Sequence, residues 1–185
     1  LNPGLAVQIE RRTAFLGGWQ QPGIRLFYRL IEQAGTFFRT LRLEVAAWGC
    51  QVADLQWLTP PPPAHLAVAE QLLQQLGLLD HKGAITSLGR QAHQLATEPR
   101  LAAMLLHAKV LEQQGYAGAM ALGCLLAAVL EDSRVLQGDI YSLLTRVKHS
   151  LPPQWQQAQS FARLLGCDLN TRLPLELTPL LALRA

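Results

Sequence analysis

Leu76-Gly77-Leu78-Leu79-Asp80-His81-Lys82-Gly83-Ala84-Ile85-Thr86-Ser87-Leu88-Gly89-Arg90 is one of the few stretches of this chain whose pattern is not simply helical. Leu76-Gly77 closes an amphipathic helix, glycine being able to take the left-handed conformation at a helix end. Asp80-His81-Lys82-Gly83 then reads as a tight turn between two short apolar arms, Leu78-Leu79 and Ala84-Ile85. Thr86 or Ser87 can cap the following helix, which the pattern starts at Leu88. Helix, small hairpin, helix is the outline of a winged-helix module.

Working outward, the chain has 185 residues, room for one ordinary domain or two small ones. Half of them are apolar and only 16% are charged, which excludes a disordered chain. Leucine, alanine and glutamine dominate over β-branched and aromatic residues, a bias toward helix. The net charge of +3 is compatible with nucleic acid as a partner without arguing for it. Three separated cysteines, Cys50, Cys124 and Cys167, offer neither a disulfide framework nor a CxxC metal pair. They fit reduced thiols and a cytoplasmic location, with Cys124 in a core.

The most apolar run, Tyr116 to Leu130, is shorter than the roughly 20 residues of a membrane span, so no membrane partner is expected. It reads instead as the central helix of a bundle, apolar on almost every face, with Gly118 and Gly123 allowing close approach of neighbours. No signal-peptide pattern opens the chain, and its first residues resemble the interior of a longer protein.

Several further elements follow from pattern. Ile24 to Leu30 alternates after the Pro22-Gly23 turn and predicts a strand. Thr36 to Trp48 carries Phe38, Leu41, Val45 and Trp48 at helical spacing, with Gly49 as its cap. Asp54 to Leu58 predicts one or two helical turns capped by Asp54. Thr59 and the prolines at 60–63 form a rigid extended connector. Ala64 to Leu76, Leu88 to Leu95, Pro99 to Leu111, Ala117 to Leu130, Asp139 to His149 and a last helix from Pro152 complete the series. In the last, Trp155, Ala158, Phe161, Ala162 and Leu165 share a stripe. Beyond Gly166 the Leu- and Pro-rich tail has little period.

No GxxxxGK[ST] loop, GxGxxG or HExxH occurs, and the five histidines are scattered without carboxylates at ligand spacing. Glu131-Asp132 reads as a solvated helix end. No nucleophile and base can be paired, so the chain on its own carries no catalytic or metal site.

The order of short matches along the chain is more specific than any one of them. Leu43-Glu44-Val45-Ala46-Ala47-Trp48-Gly49, the prolines at 60–63, Ala69 and Leu73, and Leu76-Gly77-Leu78-Leu79-Asp80 come first. Ile85-Thr86-Ser87-Leu88-Gly89-Arg90 and Pro99-Arg100-Leu101-Ala102-Ala103-Met104-Leu105 follow. Together they resemble the helicase-associated region of DEAH-box RNA helicases, of the bacterial HrpB type, over roughly residues 23–166. The resemblance implies a mainly α architecture, a winged-helix module at 34–92 followed by a ratchet-like helical bundle at 93–165. Residues 1–33 are then the end of a second RecA-like motor domain, with Tyr28-Arg29-Leu30 as its closing strand, and 166–185 a truncated tail.

ATP and Mg are implied for the parent helicase and not for this chain, which lacks the Walker lysine and the DEAH acidic box. The family's ATP-contacting arginine motif corresponds here to Gln8 through Gly18. That stretch keeps Gln8, Arg11 and Arg12 but not the repeated Arg-Ala-Gly-Arg character, which leaves the two arginines as a remnant. The implied partners are the RecA-like motor domains in cis and single-stranded RNA or DNA lying in a channel walled by the bundle. Arg100, Lys109, Arg134, Arg146 and Lys148 are the bundle's basic residues available for that contact. Two alternatives remain open on the residues alone: a free-standing winged-helix DNA-binding protein, and a helical adaptor that binds no nucleic acid.

Overall fold

The computed structural model describes the backbone of residues 22–57, 60–132 and 140–169. Arg11, Arg12, Arg134, the proposed motor-domain remnant before residue 22 and the tail beyond residue 169 lie outside the described residues. Those described form seven α-helices, one 3-10 turn (Val52–Asp54) and a single antiparallel bridge between Leu79 and Ile85. The mainly α architecture expected from composition is therefore present. The chain divides into two compact units between Thr86 and Ser87.

In the first unit, α1 (Pro22–Ala47) and α2 (Pro63–Gln75) pack on each other and carry the hairpin at 78–86. The strand predicted over Ile24 to Leu30 is not formed; the segment is the first third of α1. Its apolar residues satisfy both periods, since Ile24, Phe27 and Ile31 recur at three and four residues while Ile24, Leu26, Tyr28 and Leu30 alternate. Pro22 is tolerated at the first helical position, where its missing N–H has no partner to lose. A strand, by contrast, needs a neighbour, and none lies among the described residues.

Further expectations change. Trp48 lies off the buried stripe of α1, 67% exposed, while Leu43, Val45 and Ala46 are buried. Asp54 ends the 3-10 turn instead of starting a helix, and its carboxylate accepts from the Gln51 N–H at 2.8 Å. The proline run leads into α2 with Pro62 as N-cap, but the helix begins at Pro63, one residue before the expected start at Ala64.

The second unit holds α3 (Ser87–Gln94), α4 (Pro99–Gln113), α5 (Ala119–Glu131), α6 (Ile140–Ser150) and α7 (Pro152–Leu165). α5 is the core helix: apart from Met120, every residue from Ala119 to Val129 is buried, against α4, α6 and α7. A helix apolar on all faces must be surrounded in this way. Gly123 sets the approach of α4, because a Cβ there would stand 2.8 Å from the Ala108 Cβ.

The N-terminus of α5 has no cap of its own, since Gly118 occupies that position. Glu112 of α4 supplies one in trans: its two carboxylate oxygens accept the Gly118 and Met120 N–H groups at 3.0 Å each. A negative charge there also complements the positive end of the helix dipole. Glu112→Gln keeps an acceptor but loses the charge. The expected loss is about 1 kcal/mol of unfolding free energy in a denaturant melt, shrinking at high salt.

Candidate functional site

The hairpin is built around Asp80. Its Oδ1 accepts the Lys82 N–H at 2.8 Å and the Ala84 N–H at 2.9 Å. Its backbone N–H donates to the Ala84 carbonyl at 2.9 Å, and the Gly83 N–H donates to the Asp80 carbonyl at 3.0 Å. Thr86 closes the base, its N–H donating to Leu78 O and its hydroxyl to Gly77 O. The Ala84 N–H above all holds the Asp80 carboxyl below its ordinary value of 3.8; burial opposes it, and the Lys82 N–H with the neighbouring His81 and Lys82 charges adds to the lowering.

A lowered folded-state pKa contributes stability that is present above the unfolded value and lost as pH falls through the folded one. The wild-type hairpin should therefore loosen on acidification below about pH 4, with faster amide exchange at Lys82 and Ala84. Asp80→Asn keeps an oxygen acceptor and should show no such acid step.

A single bridge cannot hold a hairpin in place. Arg42 of α1 does so, with only 2% of its surface exposed. Its Nε donates to Glu70 Oε2 of α2 at 2.9 Å and its Nη2 to the Gly83 carbonyl at 2.9 Å. The third nitrogen, Nη1, is buried with no hydrogen-bond partner. Gly83 sits at φ +77°, and a Cβ on it would fall 2.5 Å from Arg42 Nη2 and 2.9 Å from Glu70 Oε1. Residue 83 is thus a glycine for two reasons, its backbone conformation and the guanidinium pressed against it. Arg42 and Glu70 were not singled out from the sequence. The available signal was an arginine standing in the apolar stripe Phe38, Arg42, Val45 of α1.

Beside this lock, a cleft of about 460 Å³ is walled by Val52, Trp57, Pro60, Pro61, Leu66 and neighbouring residues, with Arg42 and Glu70 also lining it. The Trp57 indole N–H donates to the Val52 carbonyl at 2.7 Å, fixing the wall. The polyproline connector is therefore part of a folded surface in this unit.

Arg100, Lys109, Arg146 and Lys148, the described members of the set proposed for nucleic acid, do not converge. Arg100 is exposed and Lys109 half-buried, and at about 100° per residue their nine-residue spacing sets them on opposite sides of α4. Arg146 and Lys148 are both exposed and flank the buried Val147 on α6, one to either side. Lys148 alone is paired with an aromatic: its Nζ stands 5.6 Å from the ring centre of Trp155 on α7. Trp155, expected on the buried stripe with Ala158, Phe161, Ala162 and Leu165, is only half-buried, while those four are buried.

Other polar groups serve the fold. At the end of α5, Glu131 accepts from Thr97 Oγ1 and from Gln157 Nε2, the latter at 2.9 Å. Asp132 accepts from the buried Gln154 at 3.4 Å. Among the described residues no group of three or more His, Cys, Asp or Glu side chains is placed to hold a metal ion. Burial, then the neighbouring Cys167 thiol, pushes the Cys124 thiol up to about 12. Burial and the charges of Glu112 and Asp168 raise Cys167 as well. Cys124 should stay unlabelled by iodoacetamide at about pH 8 in the folded protein and react once it is denatured, as mass spectrometry would read.

Comparison with known proteins bears on the hairpin first. Residues 69–92, from the buried face of α2 through the hairpin and most of α3, match the family described as "Helicase associated domain (HA2), winged-helix". Over 119 residues, the chain is 34% identical to the ATP-dependent RNA helicase HrpB of Escherichia coli (strain K12). The chain is similar to an HrpB-type helicase-associated region. That alignment takes in 63% of this chain and 13% of the relative, so the region spans about an eighth of the helicase it matches.

Two solved structures agree with this assignment. The chain superposes on a crystal structure of E. coli HrpB described as a DExH-box NTPase with a TM-score of 0.58 at 29% identity, covering 70% of this chain and 15% of that one. A second HrpB structure, described as a DEAH/RHA helicase, gives a TM-score of 0.60 at 31% identity over 69% and 15% of the two chains. Among the described residues, no helix is long and apolar enough to cross a membrane.

Proposed function

We propose that this chain acts as the accessory region of an ATP-dependent RNA helicase in the cytoplasm. In that role it couples movement of RecA-like motor domains to single-stranded nucleic acid held against its helical bundle. The observation that carries this reading is the family match at 69–92, whose hairpin is tied to α1 and α2 by Arg42 and Glu70. A hairpin fixed to two helices by a buried guanidinium is suited to transmitting displacement, because it cannot swing independently of them. ATP and Mg belong to the motor domains in this scheme, and the residues described here supply no phosphate cradle.

The free-standing DNA-binding alternative is less well supported. A recognition helix that enters the major groove uses basic or amide side chains against base edges and phosphates. α2 carries Gln71, Gln74 and Gln75 but no arginine or lysine, and its Glu70 is engaged with Arg42. The test is to assay this chain alone for ATP turnover and for binding of labelled single-stranded and duplex RNA at low salt. Single-strand binding that weakens steeply with salt, without ATP turnover, is expected. Nucleic-acid-stimulated hydrolysis by this chain alone overturns the proposal, and absence of any binding favours the adaptor reading.

A further inference from the structure

We infer that Trp155 and Lys148 form a stacking platform for one base of a single strand, with Lys148 taking the adjoining phosphate; this rests on the nucleic-acid reading above. Most of the bundle's large apolar side chains are buried, and those left exposed have no described cation over them. Trp155 differs, being half-buried with a solvent-exposed ammonium over its ring. The separation of 5.6 Å is near the outer limit of about 6 Å for a cation–π contact. The ring is thus partly open to solvent and has the lysine ammonium on one face. Lys148 can swing from the indole to a phosphate at little loss, which frees a π surface for a base.

The surroundings favour an anionic ligand with a flat part. His149 is exposed beside Lys148 in the last turn of α6. α7 begins with Pro152 and Pro153, which have no N–H, so attraction for a phosphate at this corner comes from side chains. Neither acidic residue of the α5 end, Glu131 nor Asp132, bonds to Lys148 or Trp155; both accept from other groups.

The experiment uses the full chain and two fluorescent probes, a short oligouridylate and the same oligomer without bases, in anisotropy titrations over a salt series. Trp155→Leu is expected to weaken the base-bearing probe about 5- to 100-fold and to leave the abasic probe unchanged. Lys148→Met is expected to weaken both and to lower the salt slope by about 0.7, the value of one phosphate on a single strand. Trp155→Phe keeps an aromatic ring, should retain the preference for the base-bearing probe, and controls for folding through its melting curve. Equal weakening of both probes by Trp155→Leu, or no change with either, overturns the platform while leaving single-strand binding standing. Failure of the wild-type chain to bind either probe overturns both proposals.

Discussion

Arg42→Ala is expected to release the hairpin and to lower the unfolding free energy of the first unit by about 3 kcal/mol. Removing one member of a buried ion pair costs about 3–5 kcal/mol when the other charge is left stranded. Here Glu70 is 37% exposed and can rehydrate, so the lower end applies. The Gly83 carbonyl also loses its donor, and the space left by the guanidinium is a cavity. Hydrogen exchange checks the assignment, because the Asp80, Ala84 and Thr86 amides should lose protection well before those in the middle of α2. Arg42→Met should be milder, since it fills the space and removes the already unpartnered Nη1. If the two variants melt alike, the lock is not electrostatic.

The second unit should respond most to Phe161→Ala. Phe161 of α7 is 1% exposed and the largest of the fully buried side chains. Truncating a buried phenylalanine costs about 3–5 kcal/mol, through lost transfer energy and the cavity left behind. Against a total of about 5–15 kcal/mol for a domain, that removes a large share of the stability. A thermal or urea melt followed by far-UV circular dichroism should show loss of the bundle's transition at a much lower midpoint. Because the chain divides at Thr86, the hairpin amides should keep their protection in this variant. If they lose it together with the bundle, the two units unfold as one.

Helix positions were legible wherever the punctuation was chemical. Pro63, Pro99 and Pro152 each occupy the first position of a helix, and Gly77, Gly115 and Gly166 lie just past the ends of the same three helices at positive φ. The hairpin was legible for the same reason: Asp80 and Gly83 are turn residues by mechanism, the one through its carboxylate and the other through its backbone. Ile24 to Leu30 was not, because seven apolar-rich residues can satisfy two periods and only the presence of a partner strand decides between them. Arg42 was missed because charge predicts exposure, and what buries this arginine is a carboxylate 28 residues away and a carbonyl 41 residues away. The spread of Arg100, Lys109, Arg146 and Lys148 over different faces is equally invisible in composition. Which face each takes depends on which of its helical neighbours are buried. Trp155 falls in the same class, its stripe being right but its outer edge left open to Lys148.

The packing of the helices also has a consequence for how quickly the chain reaches this structure. Most of the principal contacts join neighbours in sequence, α1 with α2, α3 with α4, α4 with α5, α5 with α6 and α6 with α7; only α5 with α7 skips an element. Contacts of such short loop length belong to chains that fold in microseconds to milliseconds. The one skipped pairing sets the order of events. α5 is apolar on every face and stays partly uncovered until α7 has been made, so the bundle's aggregation hazard during synthesis is confined to the interval between those two helices.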